Sequence, residues 1–195
     1  MNMTLSNISP AQIDKSWTLF LDRDGVINVE TPGTYITSWS EFVFCDGALD
    51  ALRSLSELFG RIVVVTNQRG VGRGVMSMDD LKDISARMTA AITDKGGRID
   101  RIYACTAVDD SDHNRKPNIG MAIQAHEDFP EIDFHHSVIV GNSITDMEFG
   151  KRAAMRTVFL TTKHEPYLLP HDLIDEQYPS LAAWAKSLAP AELVG

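Results

Sequence analysis

Two carboxylates one residue apart, Asp22 and Asp24, follow the apolar run Leu19-Phe20-Leu21. Such a run reads as a buried strand, and its polar continuation marks where the chain leaves the core. Side chains alternate along an extended backbone, so residues two apart share a side and both carboxylates can face one reacting centre. That placement suits a nucleophile working beside a general acid or base. Read alone, Asp22-Arg23-Asp24-Gly25 is also an ordinary solvated turn, because Asp and Gly are common turn residues. Three further stretches decide between the readings.

Val63-Val64-Val65 empties into Thr66-Asn67-Gln68, and Arg115-Lys116-Pro117 stands ahead of a helical pattern. Val138-Ile139-Val140 runs into Gly141-Asn142-Ser143-Ile144-Thr145-Asp146. In this order the stretches resemble the four motifs of the haloacid dehalogenase superfamily, phosphotransferases with an aspartate nucleophile. The resemblance covers residues 17 to 160. Within the superfamily, the segments from Asp22 to Asn28, from Thr66 to Gly74 and at Arg115-Lys116-Pro117 are most similar to the heptose bisphosphate phosphatase and histidinol phosphatase branch.

The resemblance implies that Asp22 attacks phosphorus and forms an aspartyl phosphate, which splits hydrolysis into two easier steps. An ordinary carboxylate, with a pKa of about 4, is already ionised at neutral pH and needs no activating base. Asp24 would protonate the leaving alkoxide and then take a proton from the attacking water. Thr66 and Asn67 match the groups that hydrogen-bond the transferring phosphoryl oxygens, and Lys116 matches the cation that balances charge on Asp22 and the phosphate. Beside it, Arg115 can grip phosphate bidentately. Gln68-Arg69-Gly70-Val71-Gly72-Arg73-Gly74 is a Gly-rich loop with two cations, whose backbone amides can cradle an anion. Gln68, Arg69 and Arg73 are therefore candidate phosphate-binding residues.

A divalent cation is implied as well, with Mg²⁺ expected at Asp22, Asp24, Asn142 and Asp146. Here the sequence departs from the family pattern: Asn142 stands where most relatives carry the carboxylate in contact with the metal. An amide oxygen can ligate but brings no negative charge, so affinity should fall unless Asp146 or water compensates. A catalytically impaired phosphate-ligand binder is the corresponding alternative. Many of the nearest relatives carry a Cys and His zinc cluster, for which this chain offers only Cys105 and His113. Structural zinc takes four ligands, so no structural zinc is expected.

Strand patterns at 17–21, 61–66, 99–105, 137–141 and 156–160 must position these groups. Helical patterns fall between them, which predicts an α/β fold with a doubly wound, Rossmann-like parallel sheet of about five strands and helices on both faces. Asp46 is the expected cap of a helix over 46–59, Ser77 with Asp80 opens the next, Asn118 caps a third to about Phe129, and a fourth spans 144–154. Residues 141–143 then form a strand-to-helix turn, where doubly wound sheets build their sites. Residues 29–44 read as a flap, too short for a separate cap domain. The chain 1–195 reads as a single domain, with an N-terminal extension over 1–15. Residues 161–195 read as a loop and an amphipathic segment, where Leu181, Trp184 and Leu188 pack.

A net charge of -9 argues against a general nucleic-acid or membrane-surface partner, since either needs a basic field. No apolar run approaches the roughly 18 residues of a membrane span, and a cytoplasmic location is expected. Cys45 and Cys105 are the only cysteines and are expected to be reduced. Oligomeric state stays open. Arg69, Arg73, Arg115 and Lys116 would crowd a cleft mouth with cations. That favours a small sugar phosphate such as heptose 1,7-bisphosphate over the alternative, histidinol phosphate, whose amine is cationic.

Overall fold

The computed structural model describes residues 13–30 and 33–189. Most of the expected N-terminal extension, Thr31 and Pro32 of the flap and the last six residues of the chain lie outside these. Five strands appear where the apolar runs predict them: β1 (Thr18–Leu21), β2 (Arg61–Asn67), β3 (Arg101–Cys105), β4 (Ser137–Gly141) and β5 (Arg156–Leu160). A sixth, β6 (Glu176–Tyr178), extends the sheet, whose order is β3-β2-β1-β4-β5-β6 with every neighbouring pair parallel. Sequence alone leaves β6 unseen because its three residues, Glu-Gln-Tyr, are half-buried at an edge and carry no apolar run. An ion pair between Arg156 and Glu176 ties it to β5, at 2.5 Å.

Alternation along the strands divides the core into two layers. Leu19, Leu21, Ile62, Val64, Val138 and Val140 face one side, where helices α1 (Ala48–Leu58), α3 (Met78–Asp94) and α6 (Leu181–Leu188) cover them. Phe20, Val63, Val65 and Ile139 face the other, under α4 (Gly120–Asp128) and α5 (Ile144–Arg152). Both faces of β1 are thus dry, as a central parallel strand requires. Leu181, Trp184 and Leu188 pack into the first layer as expected.

Helix starts follow local chemistry, with two corrections. Ser77 and Ser143 each make a reciprocal capping box, with Asp80 and Asp146 respectively. Asp46 does not cap α1; Gly47, at φ 71°, occupies that position. Asn118 does not cap α4 either, because its amide donates back to the Asp112 carbonyl at 2.9 Å and Ile119 stands at the cap. The expected Gly-rich loop holds one helical turn, α2 (Arg69–Gly72).

The register sets where the site must form. Leu21 pairs with Val64 on one side and Val140 on the other, so β4 runs one residue and β2 three residues past the end of β1. The chain builds outward from β1 through β2 to β3, then crosses back to β4 on the opposite flank. Such a reversal opens a crevice at the carboxyl ends of the strands, between β1 and β4.

Candidate active site

A cleft of about 280 Å³ lies at that crevice. Asp22, Asp24, Asn67, Gln68, Arg115, Lys116, Asn142 and Asp146 all line it, so eight of the eleven expected site residues meet there. Thr66, Arg69 and Arg73 do not.

At its floor, Lys116 spends each of its three N–H donors, two of them on fully buried acceptors. Its Nζ reaches Asp22 Oδ1 at 2.9 Å, Asp146 Oδ1 at 2.6 Å and the Val65 carbonyl at 2.8 Å. Burial alone would lower the pKa of Lys116, but Asp146 and Asp22 outweigh it and raise the value. Asn67 fixes the lysine from behind: its amide donates to the Lys116 carbonyl and accepts from the Lys116 N–H, both at 3.1 Å. Asn67 is thereby an anchor for Lys116 as well as part of the cleft wall.

Asp146 is the buried partner of Lys116 and answers the Ser143 cap in the capping box of α5. Its Oδ1 accepts from Lys116 and its Oδ2 from the Ser143 N–H at 3.0 Å, so the structure engages both oxygens that a cation was expected to use. Asp22 differs from an ordinary carboxylate. Burial, reinforced by the charges of Asp146 and Asp24 and opposed by Lys116, raises its pKa to about 7. The expectation of a fully ionised nucleophile at neutral pH is corrected accordingly: without a further positive charge, Asp22 is only partly ionised there.

Asp24 is held on three sides. Arg23 donates to both of its oxygens at 2.8 and 2.9 Å, Asn28 donates at 3.0 Å and Gln68 at 2.9 Å. Burial pushes the Asp24 carboxyl up, but the Arg23 charge and these hydrogen bonds prevail and lower its pKa. Gln68 Nε2 also donates to Thr66 Oγ1 at 2.8 Å, which leaves Thr66 buried behind the wall. Gln68 therefore clamps Asp24 and links the first two motifs. Arg23 escaped sequence reasoning, although its position between the aspartates was the available signal.

The Gly-rich segment serves packing. A Cβ on Gly70 would stand 3.1 Å from the Tyr35 ring, and one on Gly72 only 2.2 Å from the Thr106 carbonyl. The N–H groups of Val71, Arg73, Gly74 and Val75 donate to carbonyls within the segment, so they form no anion cradle. Arg69 pairs with Asp110, which also takes Arg115 at 2.8 Å, while exposed Arg73 donates to the Tyr35 hydroxyl at 3.0 Å. Of the four expected rim cations, Arg115 and Lys116 face the cleft.

Glu30 and Lys163 line the cleft opposite and were not expected. Lys163 reaches both Glu30 oxygens, at 3.1 and 2.9 Å, and Asn142 Nδ2 donates to Glu30 Oε2 at 3.1 Å. Lys163 follows β5 in a stretch without a pattern, so no signal pointed to it. Gly25, at φ 78°, lets the chain pass Asn142: a Cβ there would lie 1.8 Å from Nδ2. In the flap, Trp39 stacks on Phe42, both meet Phe44 edge-on, and the three join the first core layer, while Tyr35 faces the cleft.

Among the described residues, no group of three or more His, Cys, Asp or Glu side chains is gathered to hold a metal. The thiol of Cys105 contacts Asp112 at 3.6 Å. A cation at the cleft floor would draw on the Asp22 carboxylate, the Asp24 backbone carbonyl, the Asn142 amide oxygen and water. This sparse oxygen set fits Mg²⁺, which keeps several waters. The raised pKa of Asp22 fits too, because it records negative charge in a dry place that a cation would relieve.

A family model described as polynucleotide kinase 3 phosphatase matches residues 19–163. The D-glycero-D-manno-heptose-1,7-bisphosphate 7-phosphatase of Chlorobaculum tepidum is 30% identical over 191 residues, covering 88% of this chain and 96% of that one. The D-glycero-alpha-D-manno-heptose-1,7-bisphosphate 7-phosphatase of Mycobacterium bovis is 37% identical over 145 residues, covering 71% and 73%. The crystal structure of D,D-heptose 1,7-bisphosphate phosphatase from B. bronchiseptica, complexed with magnesium and phosphate, superposes with a TM-score of 0.78 at 27% identity, covering 88% of this chain and 97% of that one. Motifs, cleft and relatives agree: the chain belongs to the family of the polynucleotide kinase 3 phosphatase model and, within the haloacid dehalogenase superfamily of phosphatases, to the branch of the heptose-1,7-bisphosphate 7-phosphatases.

Proposed function

We propose that this chain is a Mg²⁺-dependent phosphatase that hydrolyses a sugar phosphate of the heptose 1,7-bisphosphate type through an aspartyl phosphate on Asp22. The contact of Lys116 Nζ with Asp22 Oδ1, 2.9 Å at the floor of a cleft that also holds Asp24, carries the reading. An Asp22 oxygen attacks phosphorus, the phosphorus–oxygen ester bond breaks, and Asp24 gives a proton to the departing alkoxide. Water then attacks the same phosphorus while Asp24 takes its proton, which releases inorganic phosphate and restores Asp22. Arg23, Asn28 and Gln68 hold Asp24 as a carboxylate, ready for the second step. For the first it takes up a proton, which the arriving phosphate charge favours.

Lys116 supplies fixed positive charge beside the reacting oxygen without reorganising during the step. A bound Mg²⁺ would neutralise phosphate and Asp22 charge and keep Asp22 ionised at neutral pH. Arg115 is placed to meet a second anionic group, and the flap through Tyr35 bounds the leaving-group side. We take the whole chain as one functional unit. A cytoplasmic location is part of the proposal and rests on the unpaired Cys45 and Cys105 thiols; no helix among the described residues is long and apolar enough to cross a membrane.

The test is phosphate release with Mg²⁺ from heptose 1,7-bisphosphate, histidinol phosphate, a 3′-phosphorylated oligonucleotide and an aryl phosphate. We expect the bisphosphate to lead histidinol phosphate in kcat/KM by more than about tenfold, or about 1.4 kcal/mol. Preference for histidinol phosphate or the oligonucleotide overturns the substrate. Release from none of the four overturns the enzyme.

A further inference from the structure

We propose that Glu30 supplies, through Asn142, the negative charge that the cation site lacks at position 142. The inference rests on the Mg²⁺-site reading above but not on turnover. Asn142 is 1% exposed, and its Nδ2 donates to Glu30 Oε2 at 3.1 Å and to Thr162 Oγ1 at 3.2 Å. Thr162 Oγ1 in turn donates to the Gly25 carbonyl at 2.9 Å, so the amide is locked against the turn that carries Asp22 and Asp24. With Nδ2 committed to these acceptors, Oδ1 is the atom of Asn142 left to meet a cation.

Glu30 is close enough to act. Its Oε2 would lie 3.1 Å from a Cβ on Gly25, which packs the carboxylate against the same turn, and it lines the cleft with Asp22 and Asn142. A carboxylate that accepts from an amide N–H polarises the amide and makes its oxygen the stronger donor to a metal. Asn142 and Glu30 together then present what one Asp presents at that place in relatives: an oxygen at the cation and one negative charge, displaced outward by one hydrogen bond. Lys163 is the counterweight. It grips both Glu30 oxygens and withholds part of that charge from the cation.

Direct cation binding, measured without substrate, tests this. Free Mn²⁺ is followed by electron paramagnetic resonance and Mg²⁺ by calorimetry. Glu30→Gln should weaken both by about tenfold or more, the scale of lost outer hydrogen-bond partners in metal sites. Lys163→Met should tighten both by unmasking Glu30. In Glu30→Gln/Asn142→Asp the charge returns at position 142, and affinity should recover to the wild-type value or beyond. Unchanged affinity in Glu30→Gln with an unchanged circular dichroism spectrum overturns the inference, as does weaker binding in Lys163→Met. Should Glu30→Gln fail to fold, Lys163→Met alone decides. Wild-type protein that binds neither ion overturns it too. Glu30-dependent binding without phosphate release instead overturns the enzymatic reading and leaves this one standing.

Discussion

The floor and the rim of the cleft are built on opposite plans. On the floor, Lys116 and Asp146 are buried and Asp22 nearly so, and Lys116 ties the two carboxylates together through one oxygen of each. At the rim, Arg115, Glu30 and Lys163 stand on loops, are partly exposed, and pair across the cleft mouth or with exposed Asp110. The difference separates two tasks. Chemistry needs groups fixed before substrate arrives, whereas selection among substrates is adjusted on loops that leave the sheet untouched.

Replacing the nucleophile is the strongest way to probe the floor. Asp22→Asn should lower kcat at least about a thousandfold while the fold persists, since the floor acts as a unit. Near-normal phosphate release would break the covalent mechanism. Lys116→Met comes next. It strands two buried carboxylates, and we expect about 3–5 kcal/mol of lost stability in denaturant melts together with loss of activity. A stability loss confined to the surface-pair range, under about 1 kcal/mol, would place the floor and rim on the same footing.

A pH series sharpens the contrast. The folded pKa of Asp22, about 7, lies above its ordinary 3.8, so the native state binds more protons across that window. This group's stabilisation is full below the ordinary value and disappears as pH rises through about 7. In metal-free protein, the melting temperature of Asp22→Asn relative to wild type should therefore climb between about pH 4 and 7 and level off above. Saturating Mg²⁺ should shrink the gap, because a ligand of the native state stabilises it. A gap independent of pH would mean that Asp22 titrates normally.

The smallest effects belong to the rim. Arg115→Ala should reduce kcat/KM for a bisphosphate by about tenfold, and Arg73→Ala by less than about twofold, since Arg73 points to Tyr35 rather than into the cleft. Equal losses would show that the two arginines act together on substrate.

The same division explains what the sequence discloses. Five strands and the placing of Asp22 and Asn142 at strand ends follow from apolar runs ending in polar residues, the cap at Ser77 from Asp80 three residues on, and Lys116 from the order of the motifs. These are local signals, whereas the Ser143 box with Asp146 was not expected. The direction of a loop is not local. Arg69 and Arg73 share a short segment with Gln68, yet a single helical turn and the packing of Gly70 on Tyr35 send them away from the cleft. Glu30 and Lys163 meet across 133 positions, and no spacing rule predicts that pairing. Asp146 was legible as a site residue, but which of its neighbours would claim its two oxygens was decided by α5 and Lys116 in three dimensions.

The edge of the sheet at β6 has a consequence of its own. An open parallel sheet exposes unpaired N–H and C=O groups at its outermost strands, which can recruit a strand from another chain. Here the last strand is three residues long, polar, and bound to its neighbour by Arg156 and Glu176, while the opposite edge carries Arg101 paired with Asp128. The β6 flank is too short and too polar to template β-pairing. The sheet can therefore keep its crevice open at the strand ends without presenting, along its β6 side, a surface that invites aggregation.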